Sequence, residues 1–528
     1  MTSTPPYKTN LSLFNSLTGR QEPFEPVDGA KVRMYVCGPT VYDEPHLGHA
    51  RCYITWDVLY RLLKYLGYEV TYARNVTDVD DKIIARAEKE GVTPATITDQ
   101  YYDHFIQAMR ALNVLDPDSE PRATEYIQQM LEGIQVLIEK GAAYTTPDGS
   151  VYFRVHTKAD YGKLSRKPLD DLKAGARVEV DSGKEDPMDF ALWKGVSGDV
   201  INPSDMKWAS DMKWASPWGW GRPGWHMECS AMNMAMFGPQ IDIHAGGADL
   251  VFPHHENEIA QSEAWTGVTP FARYWLHNGF VNVSGEKMSK SLGNFATIGQ
   301  VLARYDANTI RYFLLTHHYR MPVDFHDQAL EGAQNRVVKL HRALKSAVQK
   351  LGLEEQTLFS SLVWPYAQKY GDDAWQVDFT AFNTAMMDDL NTPQALACLN
   401  RVIDGLNSTE FDAYPSPEEG LKRTLAVALA LFHILGFSIA PLFQAEEALL
   451  PKDSLLDLYH AFHTEKAPEN TPARDLLTSL IELRQLAKTT KNWSLADDIR
   501  NRLSAEAGIQ LMDRKDGSTT WEKLPDHV

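Results

Sequence analysis

Near the start of the chain, two segments of alternating apolar and polar residues flank a segment whose apolar residues recur at helical spacing. The alternation from Lys31 to Cys37 predicts a β-strand, which Gly38 ends. Leu47 to Leu66 predicts a helix that ends at Gly67, and Glu69 to Arg74 predicts a second strand. A strand, a helix and a strand in this order form a βαβ unit, so we predict an α/β fold with a Rossmann-type parallel sheet.

The downstream patterns predict three further parts. Residues near 120–215 interrupt the α/β pattern and predict an insertion. Helical spacing from about residue 331 predicts an α-helical bundle, in which Thr392 should cap a helix with Pro393 at its first position. Residues near 450–470 are polar, contain prolines and predict a linker. Two helices and short strands after the linker predict a small C-terminal α+β domain.

A six-residue repeat lies within the predicted insertion. The sequence DMKWAS occupies Asp205 to Ser210 and again Asp211 to Ser216. Solenoid folds need at least three longer repeats. We therefore interpret the repeat as a duplication tolerated in a surface loop rather than as a functional array.

Amino-acid composition limits which cellular compartment and which binding partners we expect. The 528 residues contain only four scattered cysteines, which excludes a disulfide framework and favours a reducing compartment. The first ten residues contain no apolar targeting segment, and no stretch reaches the length of a membrane span, so we expect a cytoplasmic protein without membrane contact. The net charge of −18 argues against broad, nonspecific nucleic-acid binding. Residues 471–528 carry equal numbers of basic and acidic groups, so this part is repelled least by a polyanion.

Two motifs together indicate a site for a nucleoside triphosphate. His46 and His49 belong to the segment PHLGH, at the start of the predicted helix and beyond the first strand, where parallel sheets bind ligands. Lys287 and Lys290 belong to the segment KMSKS, in a glycine-flanked loop suited to closing over phosphates. Taken separately, each motif also fits ordinary helix-start contacts or a solvated lysine loop. Their order after a βαβ unit favours the donors and cations that phosphate transfer requires.

Four dispersed residues are candidate metal ligands. Cys37 ends the first strand, and Cys229 lies far downstream in a tryptophan-rich stretch. His254 and Glu258 are four residues apart and share one helix face. Two thiolates, an imidazole and a carboxylate are competent Zn²⁺ ligands. Sequence spacing alone would not single these residues out, since there is no CxxC pair, and buried inert cysteines beside a solvated helix face would explain them equally well.

The chain resembles class I aminoacyl-tRNA synthetases, because KMSKS is complete and HLGH differs from their HIGH signature by one aliphatic exchange. Within that class it resembles the cysteinyl-tRNA synthetases over essentially its whole length. The blocks that carry this resemblance are YVCGPTVYD (35–43), RNVTDVDDKI (74–83), GAR (175–177), SPWGWGRPGWHMECSAM (216–232) and DIHAGGADLVFPHHENEIAQSEA (242–264). The departures are Leu47 in HLGH, Ala245 and Ala248 in the glycine segment, and the duplicated DMKWAS.

The resemblance implies a role for each candidate residue. The residues expected to stabilise the transition state on ATP are His46, His49, Lys287 and Lys290. The residues expected to bind ATP are His46, His49, Gly247, Asp249 and Lys290. The residues expected around the amino acid are Thr40, Thr77, Trp225 and His244. The positions that match the family's zinc ligands are Cys37, Cys229, His254 and Glu258, with His255 and Glu256 as neighbours rather than ligands. Alone, Trp225 would also fit core packing, and His244 a satisfied buried histidine.

The resemblance also implies a domain division. The expected parts are a Rossmann-type catalytic domain (1–120 and 216–265), an insertion (121–215), a KMSKS and stem-contact region (266–330), a helical bundle for tRNA (331–460) and an anticodon-binding domain (471–528). In the last part, Trp493 lies near basic residues and suits stacking on single-stranded bases. A hydrophobic anchor between two helices would explain the same tryptophan equally well.

The function that the resemblance implies is ATP-dependent activation of L-cysteine and its transfer to the 3′-terminal adenosine of tRNA-Cys. Mg²⁺ would accompany ATP, and we expect one Zn²⁺ per chain and a monomer. Apolar pockets separate near-isosteres such as cysteine and serine weakly, whereas zinc deprotonates a coordinating thiol. Two alternatives remain open: a cysteine ligase that acylates an aminosugar, whose known examples lack the C-terminal domain, and a noncatalytic tRNA-binding paralog, which we would expect to have lost signature residues.

Overall fold

A computed structural model describes residues 10–166, 183–196, 212–283, 286–287, 296–354, 358–359, 362, 380–406, 416–443, 451–463, 466–468, 471–513 and 519–523. Its strands are β1 Ser12–Asn15, β2 Arg20–Pro23, β3 Lys31–Val36, β4 Glu69–Arg74, β5 Ala143–Thr145, β6 Val151–Phe153, β7 Phe190–Gly195, β8 Trp214–Ser216, β9 Gly219–Pro223, β10 Ile241–Gly247, β11 Ala272–Asn278, β12 Val281–Val283, β13 Glu286–Lys287, β14 Val323–Phe325, β15 Ile509–Asp513 and β16 Thr519–Lys523. Its α-helices are α1 Leu47–Tyr65, α2 Asp81–Glu90, α3 Pro94–Ala111, α4 Ile127–Glu139, α5 Trp225–Phe237, α6 Glu256–Thr266, α7 Ile298–Leu302, α8 Ala307–Leu315, α9 Asp327–Lys350, α10 Thr392–Leu406, α11 Pro417–Leu435, α12 Ala440–Phe443, α13 Lys452–Phe462, α14 Ala473–Thr489 and α15 Trp493–Ala507.

A parallel four-stranded sheet in the order β11-β10-β3-β4 forms the centre of the first part of the chain. The predicted α/β class is confirmed, and β3 and β4 lie within one residue of the predicted strands. Cys37 follows β3, and Gly247 ends β10. Because parallel strands end at the same edge, these residues lie together where such sheets bind ligands.

Helix α1 packs against this sheet and is buried along most of its length. Its apolar residues belong to one continuous core that also contains residues of β3, α9 and α11. A helix with apolar residues on every side is buried on every side, and this one lies between the sheet and the helical part. Its N-terminal end, at His46, is thereby held at the carboxyl edge of the sheet.

The insertion contains an antiparallel five-stranded sheet in the order β5-β6-β7-β9-β8. The first DMKWAS copy and Asp211 lie outside the described residues. The end of the second copy forms β8, which pairs with β9, with Ala215 opposite Trp220. The expectation that the repeat is only a surface loop is therefore wrong for Trp214 to Ser216, because these residues find a strand partner across a tight turn.

The helical part follows the predicted spacing, with one difference at a helix start. The Asn391 side chain accepts a hydrogen bond from the Gln394 backbone N–H, 3.3 Å away, so Asn391 is the cap and Thr392 begins α10. Asn is as good a cap as Thr, and Pro at the second position tolerates the shift. None of the described helices combines the length and the apolar composition that crossing a membrane requires.

The predicted linker near 450–470 contains a helix instead. Leu455 and Leu458 of α13 are fully buried against Leu476 of α14 and Leu503 of α15, in a core separate from the rest of the chain. The strands β15 and β16 form a hairpin on these helices. The polar residues and prolines mark only the two ends of α13, since two leucines at helical spacing are enough to bury its inner face.

A buried ionic network joins α1 to the helical part. The Asp57 carboxylate accepts hydrogen bonds from Arg61 at 2.9 Å and from Arg311 at 2.7 Å, and all three side chains are buried. The Arg311 guanidinium also donates to the carbonyls of Leu112 at 3.0 Å and Leu435 at 3.1 Å. Every charge in the network therefore has a partner, which is the condition for keeping buried ions.

Replacing Arg311 by methionine should lower the free energy of unfolding by about 3–5 kcal/mol, because Asp57 then keeps a buried charge with one partner fewer. The measurement is a urea unfolding curve. The matched control is Arg110→Met, which breaks an exposed pair with Asp116 and should leave the free energy of unfolding nearly unchanged. Equal losses in both variants would contradict the role given to the network.

Candidate active site and metal centre

The chain places a cluster of metal-competent side chains below the carboxyl edge of the sheet. Cys37 comes from the end of β3, and Cys229 from the first half of α5. His254 comes from a π-helical turn, Val251–His255, and Glu258 from the first turn of α6 that follows it. All four side chains are buried, with at most 5% of any residue exposed.

Short distances connect these four residues. The two sulfurs of Cys37 and Cys229 are 3.9 Å apart, and Cys37 Sγ is 3.8 Å from Glu258 Oε1. Glu258 Oε1 is also 2.9 Å from His254 Nε2. The structure thus brings together the donor atoms of Cys37, His254 and Glu258. Cys229 lies at the edge of this group, in contact with Cys37.

His255 also reaches the cluster, although the sequence analysis sets it aside as a neighbour. Its Nε2 lies 3.2 Å from Cys37 Sγ. The donor atoms of Cys37, His254, His255 and Glu258 all lie within 4.8 Å of one another, a separation that one metal ion can bridge. His255 is therefore a further candidate ligand, and only its direct contact with the cysteine reveals it.

A second layer of side chains orients the cluster. His244 Nε2 lies 2.9 Å from Glu258 Oε2, so the two oxygens of this carboxylate face two different histidines. His254 Nδ1 lies 2.9 Å from a ring nitrogen of His226. His255 Nδ1 contacts His277 at 2.8 Å. Partners of this kind fix the ring orientation of histidines that bind metals.

The electrostatics of the cluster favour a deprotonated Cys229 and an ionised Glu258. A hydrogen bond from Cys37 lowers the pKa of Cys229 to about 6, against the effect of burial. Burial alone would raise the pKa of Glu258, but His244 and His254 lower it to about 2. Burial likewise opposes the charge on His254, yet Glu258 and Cys229 raise its pKa to about 10. A metal ion that takes His254 as a ligand must therefore displace a proton.

Two of the residues predicted for the amino-acid pocket contact this cluster, and the other two follow strands of the sheet. The Trp225 ring stacks on the His254 ring at 4.1 Å and is 37% exposed, so it covers the cluster on one side. His244 is fully buried and stacks on Trp275 at 4.3 Å. Thr40 and Thr77 form a backbone bridge between the segments that follow β3 and β4. These contacts place all four residues around the same end of the sheet.

The HLGH segment forms the N-terminus of α1. His46 Nδ1 accepts the Gly48 N–H at 3.1 Å, and His49 Nδ1 accepts the His46 N–H at 3.2 Å. The two rings stack at 3.8 Å. A neutral imidazole that accepts at Nδ1 carries its proton at Nε2. The backbone therefore prepares both histidines as Nε2–H donors.

The residues that follow the lysine segment lie beside the same histidines. Lys287 lies in β13, which pairs with β12, whereas Lys290 lies outside the described residues. Beyond the segment, the Ala296 carbonyl accepts the Leu47 N–H at 3.2 Å, and Thr297 forms a bridge with His46. The fold thus brings Ala296 and Thr297 to the N-terminus of α1.

The nucleotide-side candidates follow the strand next to β3. Gly247 ends β10, and Asp249 lies in the 3-10 turn Ala248–Leu250 that comes next. A Cβ at Gly247 would lie 2.4 Å from Asp249 Oδ1, so a larger residue there would make the Asp249 carboxylate turn away. Both residues follow β10 at the carboxyl edge of the sheet.

Sequence reasoning missed the supporting residues His226, His277, Asn75 and Ser16. Each lies on a different element from the group it contacts: His277 Nδ1, for example, contacts Ser16 Oγ at 2.8 Å across 261 positions of sequence. The adjacent pair His254-His255 was the sequence feature that could have indicated such supporting residues, because a buried histidine needs a partner for each ring nitrogen. The partners themselves become visible only once β10 and β11 are paired.

Comparisons with known proteins agree with this architecture. The family described as tRNA synthetases class I (C) catalytic domain matches residues 23–335, and the DALR domain matches residues 381–439. The chain is 42% identical to a cysteine–tRNA ligase of Cupriavidus taiwanensis, over 97% of this chain and 99% of that protein. It is 45% identical to a cysteine–tRNA ligase of Trichlorobacter lovleyi, over 97% and 99% respectively.

A solved structure shares the fold at low sequence identity. Methionyl-tRNA synthetase of Mycobacterium tuberculosis, solved in complex with methionyl-adenylate, has a TM-score of 0.52 and 17% identity, over 84% of this chain and 96% of that chain. The long matches to the curated relatives, together with the family match over more than half of the chain, decide its membership. The chain belongs to the cysteine–tRNA ligase family of class I aminoacyl-tRNA synthetases.

Proposed function

We propose that the chain activates L-cysteine with ATP and transfers it from cysteinyl-adenylate to the 3′-terminal adenosine of tRNA-Cys. The observation that carries this proposal is the position of the Cys/His/Glu cluster beside the N-terminus of α1. The two sites share one support, since Tyr53 of α1 donates its hydroxyl to the carbonyl of Cys37 at 3.1 Å. A substrate whose sulfur lies at the cluster would direct its carboxylate toward the phosphate-binding histidines.

One Zn²⁺ per chain is the metal that best suits the donors of Cys37, Cys229, His254 and Glu258. Thiolates select zinc over the hard cations Mg²⁺ and Ca²⁺. Tetrahedral zinc with Zn–S bonds of about 2.3 Å requires two sulfurs about 3.8 Å apart. The observed separation of 3.9 Å supports this choice. His255, held by His277, would remain beside the ion as a donor to Cys37.

When bound, zinc supplies a Lewis acid that favours a substrate thiolate over the far less acidic hydroxyl of serine. Side chains of the protein would provide the remaining selectivity for cysteine. Trp225 and His244 would enclose the side chain of the substrate and exclude water, while Thr40 and Thr77 line the edge of the pocket. Glu258 keeps its two oxygens oriented through His244 and His254.

The activation step needs no covalent intermediate with the protein. An oxygen of the cysteine carboxylate attacks the α-phosphorus of ATP, and the bond to the β,γ-diphosphate breaks to release pyrophosphate. His46 and His49 would donate Nε2–H bonds to the phosphates, and Lys287, Lys290 and Mg²⁺ would balance the growing charge. Gly247 and Asp249 would bind the nucleoside.

We further propose that the helical part contacts the tRNA stem and that residues 471–528 bind the anticodon of tRNA-Cys. Trp493 is 59% exposed at the start of α15, which suits stacking on a base better than anchoring two helices. We propose the same domain boundaries as those expected from the sequence, except that α13 belongs with the C-terminal helices because it packs against them. Four free cysteines are consistent with a reducing cytoplasm, and we propose that the protein acts there as a monomer.

Purified protein should contain about one zinc per chain, and Cys229→Ser should lose it because serine is a poor zinc ligand. Metal content is measured by mass spectrometry after dialysis. The control is Cys398→Ser, another buried cysteine, which lies on α10 outside the cluster and should retain the metal. The zinc assignment fails if Cys229→Ser keeps the metal at the level of the parent protein.

Cysteine should support ATP–pyrophosphate exchange about 10⁴-fold better than serine, because only the thiol has a matching partner at the cluster. Exchange is measured with each amino acid over a range of concentrations. Comparable exchange with serine would refute the selector role while leaving the ligase activity intact.

His49→Asn should reduce kcat for exchange about 10²–10³-fold, since it removes one donor to the transition state. Zinc content should not change, because His49 lies at the start of α1 and is not one of the proposed ligands. The control is His104→Gln, which alters a partly exposed histidine paired with Glu44 and should leave kcat within twofold. A loss of zinc in His49→Asn would show that the substitution acts through the fold instead.

Trp493→Ala should raise KM for tRNA about tenfold or more in aminoacylation and leave cysteine-dependent exchange unchanged, because one stacked base contributes about 1–3 kcal/mol. Leu486→Ala is the matched control: this leucine is equally exposed at 60% on the neighbouring helix, but it is not aromatic. If both variants behave alike, Trp493 does not stack on a base.

A further inference from the structure

A loop of the insertion packs directly against the segment that carries two of the candidate ligands. This loop, Lys158 to Arg166, is named the docking loop here. The segment consists of the π-helical turn that ends at His255 and the first turn of α6. His254 lies on one side of the junction and Glu258 on the other. The backbone at His255 and Glu256 is helical, so His254 and Glu258 lie on one face of the same turn. The position of this turn relative to Cys37 therefore depends on how Glu256 is held.

Glu256 binds the backbone of the docking loop. Its carboxylate accepts N–H groups from Gly162 at 3.0 Å and Ser165 at 2.8 Å, with a longer contact to Leu164 at 3.4 Å. The side chain is 1% exposed. A buried carboxylate with several backbone donors is rigid, because charge-assisted hydrogen bonds are about twice as strong as neutral ones.

Two neighbouring contacts extend this attachment along α6. The Tyr161 hydroxyl donates to Asn257 Oδ1 at 2.5 Å. Lys158 and Lys163 pair with Glu263 at 2.7 and 2.6 Å. Glu256 and Asn257 therefore hold the ligand-bearing turn, whereas Glu263 holds the same loop about two turns farther along the helix, beyond Glu258.

We propose that Glu256 is a positioning residue for the metal centre, through which the docking loop holds the turn that carries the His254 and Glu258 donors in place beside Cys37. Its carboxylate binds the backbone of the docking loop, and it is not one of the proposed ligands. Supporting residues of this kind typically change metal affinity 10- to 100-fold when they are replaced. This inference rests on the proposed zinc site and adds that the insertion helps to build the selector.

The test compares zinc affinity in two variants of the full-length protein, measured by competition with a chromophoric chelator. Glu256→Gln should weaken zinc binding about 10- to 100-fold and raise KM for cysteine, with KM for ATP unchanged. Glu263→Gln removes a charge that contacts the same loop and should leave zinc affinity within twofold. The thermal midpoints of both metal-free variants serve to separate positioning from general stability.

Zinc affinity of Glu256→Gln within twofold of the parent, or an equal loss in Glu263→Gln, would overturn the proposal. If Glu256→Gln does not fold, Tyr161→Phe decides, because it removes only the hydroxyl that binds Asn257. About fivefold weaker zinc binding in Tyr161→Phe supports the proposal, and unchanged binding overturns it. A parent protein that binds no zinc would instead overturn the metal site itself.

Discussion

The carboxylate of Glu258 connects the elements that build this site. One oxygen lies 2.9 Å from His254 and the other 2.9 Å from His244 on β10, so a single side chain ties α6 to the central sheet. A buried carboxylate is costly unless both oxygens are satisfied, and here two histidines satisfy them. The positions of Cys37 and Trp225 follow from the same arrangement, since the first contacts Glu258 and the second stacks on His254.

Two preorganised groups of side chains lie at the carboxyl edge of the sheet. On the amino-acid side, paired buried charges keep sulfur, nitrogen and oxygen donors close together. On the nucleotide side, backbone N–H groups at the start of α1 set the tautomer of two histidines. Tyr53 links both sides through the carbonyl of Cys37. Preorganisation of this kind lowers the cost of orienting two substrates for in-line attack.

Much of this arrangement could be predicted from sequence, and the failures have physical causes. Alternation and helical spacing locate β3, α1 and β4 closely, because burial of one face requires those periods. The four ligand candidates followed from resemblance, since they come from three separate regions and no local spacing unites them. The role of His255 depends on contacts across paired strands. A linker was predicted in place of the helix Lys452–Phe462, because the prolines on either side favour a linker and only two leucines at helical spacing indicate a helix.

The division of the apolar cores has a thermodynamic consequence. The central sheet buries two cores, one shared with α1 and the helical bundle and one that contains Cys37 and Cys229, while α13 to α15 and their hairpin bury a third. Strand β3 contributes residues to both cores of the sheet, so these two cores are expected to melt cooperatively, whereas a core that shares no strand with them can open independently. The parts that would bind amino acid and nucleotide therefore gain or lose order together through the sheet, whereas the C-terminal unit can unfold while the catalytic chemistry stays intact.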